Sequence, residues 1–247
     1  MRYFEAHEAV YARRLESGVT GWDDGAYDAP ALRDQVERWL AAAPASTVKE
    51  GAKILELGCG TGALACMLAQ RGFAVTGIDI SASAIAFARG VAKDRGLPVH
   101  FDVAEACTWK DAMGGFDVVI DSHLLHCITL ASERTQLLKK AAQSLGQGGE
   151  FWTETMVQGY GIGHMLAGAR RMDADGRVWA KISDPAKCVD ATLLDDTWWM
   201  PLRYLAPHAE SLLAEFAAVG LQAIEWSVQP PATEGELADF RGRFRLE

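Results

Sequence analysis

The stretch ILELGCGTG, residues 54–62, constrains this chain more than any other feature. A short apolar run passes directly into Gly58, Gly60 and Gly62, each separated by one small residue. A helix-period segment follows, Gly62–Arg71, with Leu64, Met67 and Leu68 on one face. Glycine permits positive φ and lets another molecule approach the backbone. The free N–H groups at a helix start add donors there. A strand that turns this tightly into a helix must return to a parallel neighbour. The following segments repeat that rhythm. Strands are predicted at Lys53–Leu57, Phe73–Asp79, Leu97–Val103, Phe116–Asp121 and Glu150–Met156. Helices are predicted from Ser81 to about Asp94 and over Glu133–Leu145, the first capped by the Ser81 hydroxyl. The fold class is therefore α/β, a doubly wound, Rossmann-like parallel sheet with helices on both faces. Lys53–Leu57 and Phe116–Asp121 are apolar enough to lie at its centre.

The 247 residues suit one such domain with additions, and 49% hydrophobic residues allow a sizeable core. A net charge of −9 argues against a nucleic-acid partner, which needs a basic face. No apolar run approaches the roughly 18–20 residues that span a bilayer, so no membrane partner is expected. The N-terminus lacks a signal-peptide core, and a cytoplasmic protein is the simplest expectation. The five cysteines are odd in number and form no CxxC, which points to reduced thiols rather than to a disulfide framework or a metal site.

Two regions stand outside the rhythm. Residues 1–50 read as a helical cap, with amphipathic helices over 3–16 and 30–43 joined by a turn-rich link around Trp22. Residues 157–200 are too long for a plain loop and are expected to form a partly helical insertion or lid. After it come a strand near Leu202–Leu205, a helix over Pro207–Val219 and a last strand, Leu221–Val228. The final residues, Arg243–Glu247, receive no assignment.

The glycine spacing narrows the ligand. It is GxGxG, with Ala63 where a dinucleotide fingerprint has its third glycine, and no GxxxxGK[ST] phosphate loop is present. A ligand without phosphates fits better. Asp79, at the end of the next strand, stands where an acidic group commonly holds ribose hydroxyls.

Together ELGCGTG, GIDIS, FDVVIDSHLLHCI and LGQGGEF resemble the class I S-adenosylmethionine-dependent methyltransferases, over roughly residues 50–156 and more weakly 201–228. The resemblance implies a seven-stranded sheet in the order 3-2-1-4-5-7-6 with the seventh strand antiparallel. It implies S-adenosyl-L-methionine as cofactor and S-adenosyl-L-homocysteine as product. Gly58, Cys59, Gly60 and Gly62 would pack on its methionine and ribose, with Glu56 near the amino-acid end. Asp79 would hold the ribose, and Ile80 would touch adenine. Glu105 would meet the adenine amino group, with Asp102 the competing acid, and Ala104 beside it would also line the cofactor. Asp121 and Ser122 would flank the methionine, and Tyr11 and Trp22 would close over the cofactor.

Methyl transfer is an in-line displacement that needs positioning, and a base only for a protonated acceptor. His123 and His126 share a face if their segment is helical and are the catalytic candidates. Tyr160, His164, Arg170, Trp198, Trp199 and Arg203 are the candidates for binding a small-molecule acceptor at O, N or S. DSHLLHCI also resembles thiol and chalcogen methyltransferases of this fold. The alternative reading is a non-catalytic cofactor-binding subunit that supports another protein. Monomer and homodimer both remain open.

Overall fold

The computed structural model describes residues 1–21, 27–45, 47–110, 115–158, 166, 168–231 and 237–247. Seven strands form the main sheet. They are β1 (Lys53–Leu57), β2 (Ala74–Asp79), β3 (His100–Val103), β4 (Phe116–Ser122), β5 (Leu145–Val157), β10 (Leu221–Gln229) and β11 (Ala238–Leu246). Their spatial order is β3-β2-β1-β4-β5-β11-β10. β1 to β5 pair in parallel, and β11 runs antiparallel to both neighbours. With β10 and β11 counted sixth and seventh, this is the class I methyltransferase order.

The strand that completes the sheet is not the one the sequence reading supplied. Leu202–Leu205 belongs elsewhere, and the antiparallel seventh strand is the C-terminal β11. Its segment ADFRGRFRL alternates strictly. Phe240 and Phe244 are fully buried against Phe216 of α6 (Ala209–Ala217). Arg241 and Arg243 point the other way and pair with Glu154 and Glu150 of β5. The period-2 pattern was present, but four charges in nine residues masked it.

The insertion carries more strand than expected. Its described part is mainly a second, four-stranded antiparallel sheet, with a 3-10 turn at Pro185–Lys187: β6 (Arg170–Met172), β7 (Arg177–Lys181), β9 (Thr197–Tyr204) and β8 (Thr192–Leu194), in that order. Trp198, Trp199 and Arg203 all lie on β9. β-branched and aromatic residues at short spacing, with turns at Asp173–Gly176 and Asp195-Asp196, favour hairpins over helix.

Alternation along the central strands builds two cores. Ile54, Val118, Ile120 and Trp152 face α3 (Ala63–Gln70) and α4 (Ala82–Asp94). Leu55, Leu57, Val119 and Phe151 face α5 (Ala131–Ser144) and α6. The N-terminal helices extend the first layer. Trp39 of α2 (Arg33–Ala42) packs at 5.7 Å from the Trp152 ring. α1 (Ala6–Glu16) lies against α4, where Glu8 accepts hydrogen bonds from the Ser81 and Ser83 hydroxyls. That docking brings α1 across the C-terminal ends of β1 and β2.

Candidate functional site

A cavity of about 330 Å³ opens at the C-terminal ends of β1, β2 and β4, beneath α1. This is the crevice where parallel α/β sheets place their ligands, because the strand order reverses there. Gly58, Cys59 and Gly60 form one wall. Both glycines have positive φ, +69° and +52°, and a Cβ on Gly60 would stand 2.4 Å from the Tyr11 hydroxyl. Gly62, φ +80°, lies under the loop instead of on the cavity wall. Its missing Cβ makes room for the Phe101 ring and the Ala88 methyl.

Asp79 fixes the loop. Its carboxylate accepts the Gly60 N–H at 2.9 Å and the Ser81 N–H at 2.8 Å while it faces the cavity. Burial raises its pKa, and those two N–H donors work against the shift. Glu56 lies deeper. Burial pushes it up to about 8, the Ala65 N–H pulls it down, and Asp79 adds to the rise. Its Oε2 is buried with no hydrogen-bond partner among the described residues. A lone carboxylate oxygen in a cavity wall is costly unless a cation or donor meets it.

Ile80, Ala104, Glu105, Ser122 and Tyr11 also line the cavity. Of the two acids near adenine's expected place, Glu105 reaches the wall. Asp102 does not, because its carboxylate turns outward to His100 and Arg89. Asp121 stands behind the wall. One oxygen accepts the Leu124 and Leu125 N–H groups and the other the Thr153 hydroxyl, so it anchors the turn Leu125–Cys127. Trp22, Tyr160 and His164 lie outside the described residues. Arg170 is exposed on β6, and Trp198 and Trp199 stay in the second sheet, where the Arg171 guanidinium sits over the Trp199 ring. Of the acceptor candidates described, Arg203 alone reaches the cavity.

His123 and His126 both face the cavity, though not through the helical spacing expected of them. His123 adopts φ +64°, a left-handed conformation that a non-glycine residue rarely takes. Glu154 of β5 holds it there twice: the His123 N–H donates to the Glu154 carbonyl at 2.9 Å, and Nε2 lies 2.7 Å from Oε1. Nδ1 is buried without a hydrogen-bond partner among the described residues. Burial lowers the His123 pKa, but Glu154, Asp239 and Asp121 outweigh it and the net shift is upward. His126 sits 5.5 Å away, edge-on, and burial pulls it down to about 4.

Residues the sequence reading passed over complete the lining. His7 sits four residues before Tyr11 on α1, a spacing that puts both on one helical face and could have been read. Cys127 faces the cavity with the Arg203 Nη1 at 2.9 Å from its sulfur. No sequence pattern ties position 127 to 203, since only the contact of β9 with the turn joins them.

The family described as a methyltransferase domain matches residues 54–149. The 2-heptyl-1-hydroxyquinolin-4(1H)-one methyltransferase of Mycobacteroides abscessus is 43% identical over 74 residues, 30% of this chain and 33% of that protein. A ubiquinone biosynthesis O-methyltransferase of Idiomarina loihiensis is 27% identical over 155 residues, 59% of this chain and 63% of that protein. The chain thus spans less than two thirds of either relative. A solved S-adenosylmethionine-dependent methyltransferase from Clostridium acetobutylicum superposes with a TM-score of 0.64 at 14% identity, covering 98% of both chains.

Proposed function

We infer that this chain, whose residues 54–149 form a methyltransferase domain in a class I, S-adenosylmethionine-dependent fold, transfers a methyl group to an O, N or S atom of a small-molecule acceptor. One observation carries the reading. The cavity joins a side-chain-free loop at the tip of β1, two buried acids and an oriented histidine in a single space. One of the two relatives is named as an O-methyltransferase, which puts phenolic oxygens among the acceptors to test.

The residues present fit the cofactor. The orphaned Glu56 oxygen is a partner for the ammonium of a methionine moiety, and Asp79 keeps lone pairs for sugar hydroxyls. Gly58 and Gly60 leave the space that a Cβ would fill. Ile80, Ala104 and Glu105 would flank the base. S-adenosylmethionine, when bound, supplies an electrophilic methyl on a sulfonium.

The chain's own part is positioning and proton handling. Glu154 as a carboxylate can only accept, so its contact fixes the proton of neutral His123 on Nε2. The lone pair then sits on Nδ1, the ring atom left without a partner. Its raised pKa suits a base that works near neutral pH. His126, pulled down by burial, stays neutral and packs beside it. Arg203 supplies a fixed positive charge on the same wall. The long second sheet beyond β5 and the N-terminal cap would exclude water from the acceptor.

Calorimetry with S-adenosylmethionine and S-adenosylhomocysteine, followed by turnover on a panel of phenolic, amine and thiol acceptors, tests this. Both compounds should bind, and His123→Ala should lower turnover about 10²- to 10⁴-fold with little change in cofactor affinity. Binding without turnover on any acceptor would instead support a non-catalytic partner subunit. An unchanged rate in His123→Ala would remove that residue from the mechanism.

A further inference from the structure

The cavity changes sign across the sheet. On the side of β1, β2 and β3 its wall carries three carboxylates, Glu56, Asp79 and Glu105. On the side of β4 it carries the imidazoles of His7, His123 and His126 and the guanidinium of Arg203. Among the described residues, Arg203 is the one arginine or lysine on the wall. β1 and β4 are neighbours in the sheet, so the reversal falls between two adjacent strands. Two further acids, Asp121 and Glu154, stand behind the basic half. Asp121 is engaged by Thr153 and the Leu124 and Leu125 N–H groups, and Glu154 by His123 and Arg241.

Tertiary packing brings Arg203 to this wall. β9 packs on the turn Leu125–Cys127, and Arg203 Nη1 donates to the Cys127 sulfur at 2.9 Å. The same sulfur donates to the His123 carbonyl at 3.5 Å, as a neutral thiol does. The contact therefore orients the guanidinium without cancelling its charge. The remainder of this half is apolar, with Phe4, Leu124, Ile128 and Met156 on the wall. A low-dielectric cleft lined by one sign of charge concentrates the opposite sign. The acidic half is suited to the positive groups of the cofactor, and the basic half is suited to an anion. A guanidinium fork matches the two oxygens of a carboxylate, which a point charge does not.

We propose that the acceptor is a small carboxylic acid with an apolar aryl or alkyl body, and that Arg203 is the residue that selects its carboxylate. The inference rests on the proposed methyl transfer for the presence of a cofactor, and names the class of molecule that shares the cavity with it.

The full-length protein is titrated calorimetrically, with and without saturating S-adenosylhomocysteine, with benzoate, 3-phenylpropanoate and octanoate and with the primary amide of each. The amides keep the shape of the acids and lose the charge. At least one acid should bind about tenfold or more tighter than its amide, the size of a charge-assisted hydrogen bond. Arg203→Gln should erase that preference and leave the affinities for the amide and for S-adenosylhomocysteine unchanged. If this variant does not fold, as judged by its thermal transition, Arg203→Lys carries the test. It keeps the charge without the fork and should lose several-fold of the preference. Acids that bind no better than their amides overturn the proposal, as does a preference that the substitution leaves unchanged. A loss of S-adenosylhomocysteine affinity in the variant would assign the guanidinium to the cofactor's own carboxylate, and would overturn it too. A parent protein that does not bind S-adenosylhomocysteine would sink the methyl-transfer reading instead, and the acid–amide comparison on the protein alone would still decide this one.

Discussion

Glu56 shows how a single residue can trade stability for binding. An unfolded chain ionises it near its ordinary value, whereas the folded chain holds it protonated up to about pH 8. Between those values the native state binds more protons than the unfolded one, so stability falls as pH rises. Glu56→Gln removes that slope. The variant should be more stable than the parent at pH 8, by roughly 3–5 kcal/mol, with the gap closing towards pH 4.5. Urea denaturation at both pH values would measure it, and an equal gap at the two would refute the assignment. The same variant should bind S-adenosylmethionine more weakly, because the partner of its ammonium is gone. Gly58, Gly60 and Asp79 were legible by type and spacing, and Glu56 through the family resemblance. Cys127 and Glu154 were not, since their roles come from neighbours 76 and 31 positions away in sequence.

At the scale of elements, the start of α4 and the loop before α3 concentrate the constraints. Ser81 caps α4 by accepting the Ala84 N–H, and it is itself held by Glu8. Gly62 is the residue from which α3 begins, with positive φ and no room for a side chain. Gly62→Ala should destabilise the fold by more than about 1 kcal/mol, since it adds backbone strain to a clash with Phe101. Thermal unfolding against Gly96→Ala, which has positive φ but open space around it, separates strain from crowding. If the two variants lose equal stability, crowding at Gly62 contributes nothing. Glu8 makes a prediction about binding. Its contacts to Ser81 and Ser83 hold α1 over the cavity, so Glu8→Ala should speed S-adenosylhomocysteine release about tenfold in stopped flow. An unaltered release rate would mean that α1 does not gate the site. The helices and parallel strands were readable from periodicity within about three residues, except that β5 begins at Leu145, five residues before the predicted start. β11 and the four-stranded insertion were missed for different reasons: the first hid a regular alternation under arginines, and the second pairs through short hairpins whose partners are set by tertiary contact.

For the whole molecule, the C-terminal strand is secured by charge as much as by apolar packing. Arg243 and Glu150 are both almost wholly buried, bonded at 2.9 Å, with the Trp152 indole N–H donating to the same carboxylate. Removing Glu150 leaves the buried Arg243 with only the half-exposed Glu225 at 3.6 Å among the described residues. Glu150→Leu should therefore cost about 3–5 kcal/mol, and adding Arg243→Met should recover most of it. Equilibrium unfolding of the single and double variants decides this, and a double variant no better than the single would show that the pair is not coupled. This strand also carries Arg241 to Glu154, and Glu154 in turn orients His123. The C-terminal strand thus reaches the cavity wall at His123 through one ion pair and one hydrogen bond.

By itself the sequence determined the sheet class, the strand tip where a ligand crevice opens and an acid placed for a sugar; the sulfonium cofactor came only with the family resemblance. The first three follow from local facts: a strand that turns through glycine into a helix, an acid at the next strand's tip, and the period of the apolar residues. Tertiary structure alone decided which strand closes the sheet, which nitrogen of His123 is left open, and which of three cavity thiols the Arg203 guanidinium meets. Each of these depends on groups far apart in the chain that meet only after folding, and pairwise distance, not sequence spacing, governs hydrogen bonding and charge.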